Sequence, residues 1–313
     1  MSQEILVGSE GNTPPQQAVV QRGSFELTLR RLRKDKASLA SAIFIIVLVC
    51  FAIAAPLFDQ LTGHDVNQQF RDTGLGSAGI PTGPNAEFVL GADQLGRDVL
   101  VRLAHGARVS LLVGVAASLS AAFIGVVVGL VAGYFGGKTD TILSRLMDLV
   151  MSVPFLLCAI ALVSVFGPSL PLSISVIIFF SWTAMGRVIR GQVLSLRQRD
   201  YVEAARSMGA NHVSIMCKEI VPNLTVPIII YATLMIPNAI VFEATLSFLG
   251  MGIVPPAASW GGMLSEAASN SIYLTAWWLV VFPGSTLLLT TLAFNILGDG
   301  IRDALDPRAR RKA

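Results

Sequence analysis

The chain has 313 residues, of which 53% are hydrophobic and only 14% are charged, and its formal net charge is +3. Soluble domains carry close to a quarter of charged residues, so this composition excludes an ordinary globular protein and indicates a polytopic membrane protein. The small positive charge gives no argument for nucleic acid, and we expect membrane lipid to surround the chain.

The first 23 residues are polar and contain Pro14-Pro15-Gln16-Gln17, so we predict a disordered tail. The small residues of Ala52-Ile53-Ala54 have the form of a signal-peptide cleavage site. The apolar segment before them starts too far into the chain and is long enough to span a bilayer, which favours an uncleaved anchor. Two of the three cysteines lie in apolar segments, so no disulfide framework is implied.

Six segments are long and apolar enough to cross a hydrocarbon layer of roughly 30 Å, which takes about 20 residues. Because an unpaired backbone group in lipid is too costly, all six are predicted to be helices, and the fold class is all-α. The segments are approximately Leu39–Phe58, Val109–Tyr134, Ile142–Phe166, Leu172–Val188, Leu224–Leu249 and Ala276–Leu297.

These spans divide the chain into a polar tail with an amphipathic lead-in (1–37), a first span with an external segment (38–108), a five-helix core (109–297) and a C-terminal tail (298–313). Lys and Arg are concentrated before the first span, in the loop 194–223 and in the last residues, whereas the segment 250–275 has none. Since cytoplasmic loops are enriched in these residues, both termini and the loop 194–223 are predicted to be cytoplasmic.

The external segment ends in a stretch from Gly91 to Arg108 that is predicted to form an interfacial helix. Asp98 and Arg102 are four residues apart and can pair, while Leu95, Val99, Leu103 and Ala107 give the helix an apolar side. In the second span, small residues recur at every fourth position and predict a face for close helix packing. They are Ala117, Ala121, Gly125, Gly129 and Gly133.

The residues from Gly133 to Thr139 nearly match the sequence pattern of a phosphate-binding loop. That loop needs four residues between its first glycine and Gly-Lys-Thr, whereas three intervene here and Ala132 occupies the required glycine position. The segment also follows a membrane helix rather than a strand. It is therefore predicted to be a tight interhelical turn, and we expect this chain to be no enzyme and to bind no nucleotide or metal cofactor itself.

The loop between the fourth and fifth spans carries a short charged motif. Asp200 and Glu203 have the spacing of a capping box, so a helix is predicted to begin at Asp200 and to end before Gly209, which can adopt a left-handed conformation. Ala204 and Ala205 leave one face small enough for another protein to approach. Pro222 fits the first turn of the next helix.

Polar groups inside the spans form a second set of candidates. A carboxylate at mid-membrane costs about 2.5–3.5 kcal/mol on insertion scales, so Asp148 and Glu243 are expected to face protein or water. With Asn238, they are candidates for lining a translocation path. The alternative for Glu243 and Asn238 is interhelical hydrogen bonding that only holds the bundle together, and the sequence leaves both open.

The motif Glu203-Ala204-Ala205, three residues, Gly209 and later Pro222 resembles the cytoplasmic loop of importer permeases in the ATP-binding-cassette (ABC) superfamily. Glu219 and Val221 stand where that pattern has Ile and Leu. The external motif Asp93, Gly96, Arg97, Asp98, Arg102 and Arg108, with Leu246–Gly252 and Leu297–Pro307, is similar to the C-type permease subunit of dipeptide/oligopeptide importers. The resemblance covers residues 25 to 312.

This resemblance implies the type I ABC importer fold and transport of peptides across the inner membrane. It implies a homologous B-type permease, two ABC ATPase subunits that use ATP, and an extracytoplasmic peptide-binding protein. Asp200, Glu203, Ala204, Ala205, Gly209 and Pro222 would couple the chain to the ATPases. Alternatives are a nickel or other small-solute permease on the same frame, an intramembrane hydrolase using Asp148 or Asp299, and a receptor-like scaffold.

Overall fold

The computed structural model describes Leu32 and residues 34–76, 79–254 and 256–305. The predicted disordered tail, most of the basic residues that precede the first span and the basic residues after Asp306 lie outside the described residues. Within the described ranges there is no β-strand, only two isolated bridges, which confirms the all-α fold class.

Ten helices are labelled here in chain order. They are α1 (Lys36–Ile53), α2 (Ala55–Thr62), α3 (Val99–Phe135), α4 (Gly137–Ser152), α5 (Phe155–Phe166), α6 (Leu170–Leu196), α7 (Asp200–Ser207), α8 (Val221–Phe248), α9 (Trp260–Ala268) and α10 (Trp278–Leu305). A turn at His212–Ser214 and a π-helical segment, Ile215–Ile220, lead into α8. A 3₁₀ segment, Ser269–Leu274, follows α9.

Five of these helical stretches are long and apolar enough to cross a membrane, and the pair α4–α5 supplies a sixth crossing if it counts as one span. The third predicted span is therefore a broken one, because α4 and α5 are bent by 80° at their junction. Pro154 lacks a backbone N–H and disfavours helical backbone at Val153, which is extended (φ −84°, ψ 124°).

The centre of the bundle is the contact of α3 with α6. A Cβ added to Gly125 would lie 2.6 Å from the Cβ of Met185, and one added to Gly129 would lie 2.5 Å from the carbonyl oxygen of Gly186. The predicted small-residue face is therefore the surface that lets these two helices approach closely. Further along α3, Gly114 meets Ile240 of α8 in the same way.

The prediction of an interfacial helix from Gly91 to Arg108, separate from the second span, was wrong both in where the helix starts and in its separation from that span. Gly91 and Gly96 have φ of +83° and +76°, which stop a helix, and α3 begins only at Val99. Asp98 caps it by accepting hydrogen bonds from the N–H groups of Leu100 and Val101. The helix continues without interruption through the second predicted span, and its 37 residues measure about 56 Å, longer than a hydrocarbon layer of roughly 30 Å is thick.

The bundle has two distinct ends. At one, called the loop end, the Tyr134 hydroxyl is 3.0 Å from Nδ1 of His212, and the Arg197 guanidinium donates to the Gly133 carbonyl over 3.0 Å. At the other lie residues 59–76, 79–98, 249–254 and 256–277, together called the cap. The cap is fastened to α10, since the indole N–H of Trp278 donates to the Ala92 carbonyl over 3.0 Å.

Candidate functional site

Helix α7 projects from the loop end between α6 and the segment that leads into α8. Its N-cap residue is Arg199 and there is no side-chain cap, so the predicted capping box was one residue out of register. Asp200 and Glu203 instead lie in the first helical turn, where negative charge interacts favourably with the helix dipole. Gly209 follows the end of the helix with φ +82°, which confirms the predicted left-handed stop.

The two alanines of α7 face opposite ways. Ala205 is buried together with Val202 against an apolar cluster that includes Ile220 and Leu224. Ala204 and Glu203 are exposed. The predicted small outer face therefore consists of Ala204 alone, while Ala205 and Val202 anchor α7 to the base of α8, where Pro222 occupies the first turn as expected.

Four charged side chains form a largely buried network between the cap and the start of α3. The Arg97 guanidinium lies 2.6 Å from Oδ2 of Asp93 and 2.6 Å from Oε2 of Glu266. Arg102 lies 3.1 Å from Oε1 of Glu266 and 3.3 Å from Asp93. Arg97, Arg102 and Asp93 are all at most 5% exposed, so they connect the start of α3 to α9.

The predicted ion pair between Asp98 and Arg102 was wrong, since each has another partner. Oδ2 of Asp98 lies 2.7 Å from Nδ1 of His64, and Asp98 is buried. Sequence reasoning missed Glu266, although it is the single carboxylate between positions 249 and 277 and pairs with two arginines of the predicted external segment. Matching the charges of the segments between the predicted spans would have found it.

The glycines of the external motif allow other parts of the chain to approach their backbone closely. A Cβ on Gly96 would lie 2.6 Å from the Phe70 carbonyl oxygen, and one on Gly91 would lie 2.7 Å from Nε1 of Trp278. Of the motif's charged residues, Arg108 is the exposed one, on the outer surface of α3. Asp93, Arg97, Asp98 and Arg102 are thus internal supports of the cap, and their side chains do not present themselves to another protein.

An apolar cavity of about 600 Å³ lies where the α4–α5 break, α6 and α8 meet. It has Pro154 and Phe155 on one wall and a few polar groups on the others. Asn238, a predicted path residue, lines it, and its amide donates to the Leu234 carbonyl over 3.0 Å. The remaining lining residues include Met151, Phe180, Ser181, Thr183, Ala184, Met235 and Phe242.

Glu243, the second path candidate, does not reach this cavity. It is fully buried and accepts hydrogen bonds from Ser110 of α3 over 2.9 Å and from Ser247 over 2.7 Å. The Ser247 hydroxyl also accepts from the backbone N–H of Ile253 over 3.3 Å. Glu243 thus connects α3, α8 and the cap, an arrangement that agrees with the interhelical hydrogen-bonding alternative.

Asp148, the third path candidate, lies in a separate charged cavity of about 450 Å³ between α4 and α6. Its Oδ1 lies 2.7 Å from a guanidinium nitrogen of Arg187. Arg190 and Asp140 form a second pair beside it, with Nη2 and Oδ2 2.7 Å apart. Among the described residues, no three His, Cys, Asp or Glu side chains lie close enough together to hold a metal ion.

Comparison with known proteins places this geometry in a family. Residues 125–311 match the family described as the binding-protein-dependent transport system inner membrane component. Residues 24–73 match the N-terminal transmembrane domain of oligopeptide transport permease C.

Two curated relatives illustrate the likeness along the chain. The di/tripeptide transport system permease protein DppC of Pseudomonas aeruginosa is 40% identical over 89% of this chain and 90% of its own length. The oligopeptide transport system permease protein OppC of Escherichia coli K12 is 40% identical over 90% of each.

A solved structure supports the fold. The MetNI methionine ABC transporter in inward-facing conformations has a chain that superposes with a TM-score of 0.55 at 17% identity, over 66% of this chain and 96% of that one. The fold is therefore that of type I ABC importer permeases, as predicted. The chain belongs to the inner membrane components of binding-protein-dependent transport systems, and among them to the C-type permeases of the dipeptide and oligopeptide importers.

Proposed function

We propose that this chain is one half of the membrane channel of an ABC importer that carries di- and oligopeptides across the inner membrane. A homologous B-type permease would pair with it, two ATPase subunits would bind the loop end, and an extracytoplasmic peptide-binding protein would bind the cap end. ATP is used by the ATPases, and this chain supplies the path and the conformational change. The named functions of its relatives support peptides as the cargo.

The single observation that carries the proposal is the two-sided construction of α7. One side, with Glu203 and Ala204, is exposed, and the other, with Val202 and Ala205, is buried against the base of α8. A push on the exposed side would therefore reach α8 through packed side chains, which resist compression. This is the construction that a lever between a motor subunit and a membrane helix requires.

The broken third span supports the path. Non-helical backbone at membrane depth is tolerated where it is buried in protein or lines a cavity, and the break at Pro154 lines the apolar cavity beside Asn238. A second permease related by pseudo-symmetry would close the outer side of this cavity. Alternating access then follows when α8 tilts relative to α4 and α5.

The sidedness of basic residues supports the orientation. Arg197, Arg199, Arg206 and Lys218 surround α7 at the loop end, whereas residues 249–277 of the cap contain no Lys or Arg. The loop end and both termini would be cytoplasmic, because positive residues are retained on that side. The cap would then face the binding protein.

A matched pair of cysteine variants tests the motor contact. In a background with the three native cysteines replaced, Ala204→Cys should crosslink to the ATPase subunit in the purified complex, and Ala205→Cys, buried inside this chain, should not. No crosslink from Ala204→Cys, or accessibility of that thiol from the external side only, would refute the proposed dock.

Coupling is tested by Gly209→Asp, with Gly63→Asp as its control. Both glycines have positive φ, of +82° and +72°, and open space around the missing Cβ, but they lie at opposite ends of the bundle. Gly209→Asp should preserve ATP hydrolysis while peptide uptake in proteoliposomes falls at least several-fold, and Gly63→Asp should keep both. Unchanged uptake with Gly209→Asp would contradict the coupling role, and uptake without any ATPase would favour a protein that works alone.

A further inference from the structure

The charged cavity between α4 and α6 contains more positive than negative charge. Three arginines and two aspartates line it, namely Arg145, Arg187, Arg190, Asp140 and Asp148. Asp140 is occupied by Arg190 and also accepts from the Ser144 hydroxyl over 3.3 Å. Asp148 is left to be shared by the other two arginines, so one guanidinium in the cavity is not neutralised.

The two arginines that share Asp148 lie at different distances from it, and all three side chains are exposed to solvent. Arg187 lies 2.7 Å from one carboxylate oxygen, while Arg145 lies 4.0 Å from the other. The side chains of Arg187 and Asp148 are 49% and 52% exposed, and that of Arg145 is 82% exposed. Pairs this exposed contribute only about 0–1 kcal/mol, so an incoming anion can displace Asp148 at little cost.

The charged cavity continues the wall of the apolar one. Asp148 precedes Met151 by three residues on α4, and Arg187 follows Thr183 by four residues on α6, and Met151 and Thr183 both line the apolar cavity. Residues three and four apart lie on the same face of a helix. In both helices the charged residue is the one nearer the loop end, so a solute leaving the apolar cavity towards that end meets the arginines next.

We propose that Arg187, assisted by Arg145, binds the C-terminal carboxylate of the peptide as it leaves the cavity, an inference that rests on the proposed function. A free carboxylate is the anionic group that all unmodified peptides share, and a guanidinium binds it by a two-pronged hydrogen bond whatever the side chains are. The half-exposed site holds the carboxylate weakly, as a path requires if the solute is to enter and also to leave.

The test compares one tripeptide with a free carboxylate with its C-terminal amide, which lacks only that charge. Initial uptake rates of both are measured at saturating concentration in proteoliposomes that contain the full importer and its binding protein. The variants are Arg187→Gln and the double variant Arg145→Gln/Arg187→Gln. The control is Arg302→Gln, an exposed arginine in the last turn of α10, outside the cavity.

We expect the ratio of acid to amide uptake to fall about five- to tenfold in the double variant and less in the single one, because a hydrogen-bonded charge pair is lost. The control should keep the wild-type ratio. The binding protein is identical in every sample, so its own preference enters each ratio equally.

Two results would overturn the inference. One is a ratio in the double variant equal to that of the wild type. The other is an equal fall in the uptake of both peptides together with one of two further changes. Loss of the copurifying partner permease would show that the arginines hold the two permeases together, and dependence of uptake on the anionic lipid content would show that they bind lipid. If the wild-type importer took up neither peptide, the proposed function itself would fail, which is a distinguishable outcome.

Discussion

Replacing Glu243 by glutamine tests whether this residue lines the translocation path or only stabilises the packing of the helices. The two serines bond different oxygens of this carboxylate, Ser110 to Oε2 and Ser247 to Oε1. Glutamine keeps the shape of the side chain but offers only one acceptor oxygen and an amide that donates. One serine hydroxyl must therefore rotate to accept from the amide, or stay unpaired.

The magnitude follows from what the unpaired group costs. A buried hydroxyl without a partner costs about 1–3 kcal/mol in soluble proteins. Interhelical hydrogen bonds within membranes have measured couplings of only about 0.6 kcal/mol on average. Because Ser110 can adapt by rotating its hydroxyl, we expect Glu243→Gln to lower the free energy of unfolding by about 1 kcal/mol.

The assay is a double-mutant cycle of Glu243→Gln with Ser110→Ala, scored by unfolding of the purified protein with increasing sodium dodecyl sulfate in mixed micelles. The two changes should couple by about 0.5–1.5 kcal/mol, since Glu243→Gln alters and Ser110→Ala removes the same interhelical hydrogen bond. Uptake per folded complex should remain near wild type. Asn238→Ala is the contrast, because it lines the cavity and should alter uptake while stability changes little.

The structural reasoning is refuted if Glu243→Gln abolishes uptake while its stability and its coupling to Ser110 are both unchanged. In that case the buried carboxylate would have to reach the path in another state of the transport cycle. Loss of stability and uptake in parallel would support the structural role.

Three further outcomes are expected from backbone geometry. Gly96→Ala should clearly lower the midpoint temperature of thermal unfolding, because the φ of +76° and a backbone oxygen 2.6 Å from the new Cβ both oppose a side chain. Gly63→Ala, the control, has only the strained φ and should lower the free energy of unfolding by about 1 kcal/mol. Equal midpoint temperatures for the two variants would contradict this. Gly125→Leu should push α3 from α6 and lower the yield of monodisperse protein, while Gly191→Leu, with nothing within 4 Å, should not. Pro154→Ala should reduce the 80° bend between α4 and α5 and slow uptake, measured by the distance between spin labels on the two helices.

Much of the fold could be predicted from local patterns in the sequence. Apolar runs of membrane length, the small-residue face of α3 and the left-handed glycine after α7 were read correctly, because hydrophobicity, helical periodicity and glycine's backbone freedom act over a few residues. The family motifs likewise indicated the permease of an ABC importer. Each of these signals is contained in a short stretch of chain.

What only the tertiary structure decided is how distant stretches meet. Arg102 pairs with Glu266, 164 residues away, rather than with Asp98 four residues away, because the cap folds over the start of α3. Ala205 turns inward and Ala204 outward because Val202 beside them packs against the base of α8. Periodicity states which residues share a helix face, but the neighbouring element decides whether that face is buried, and this depends on packing across the whole chain.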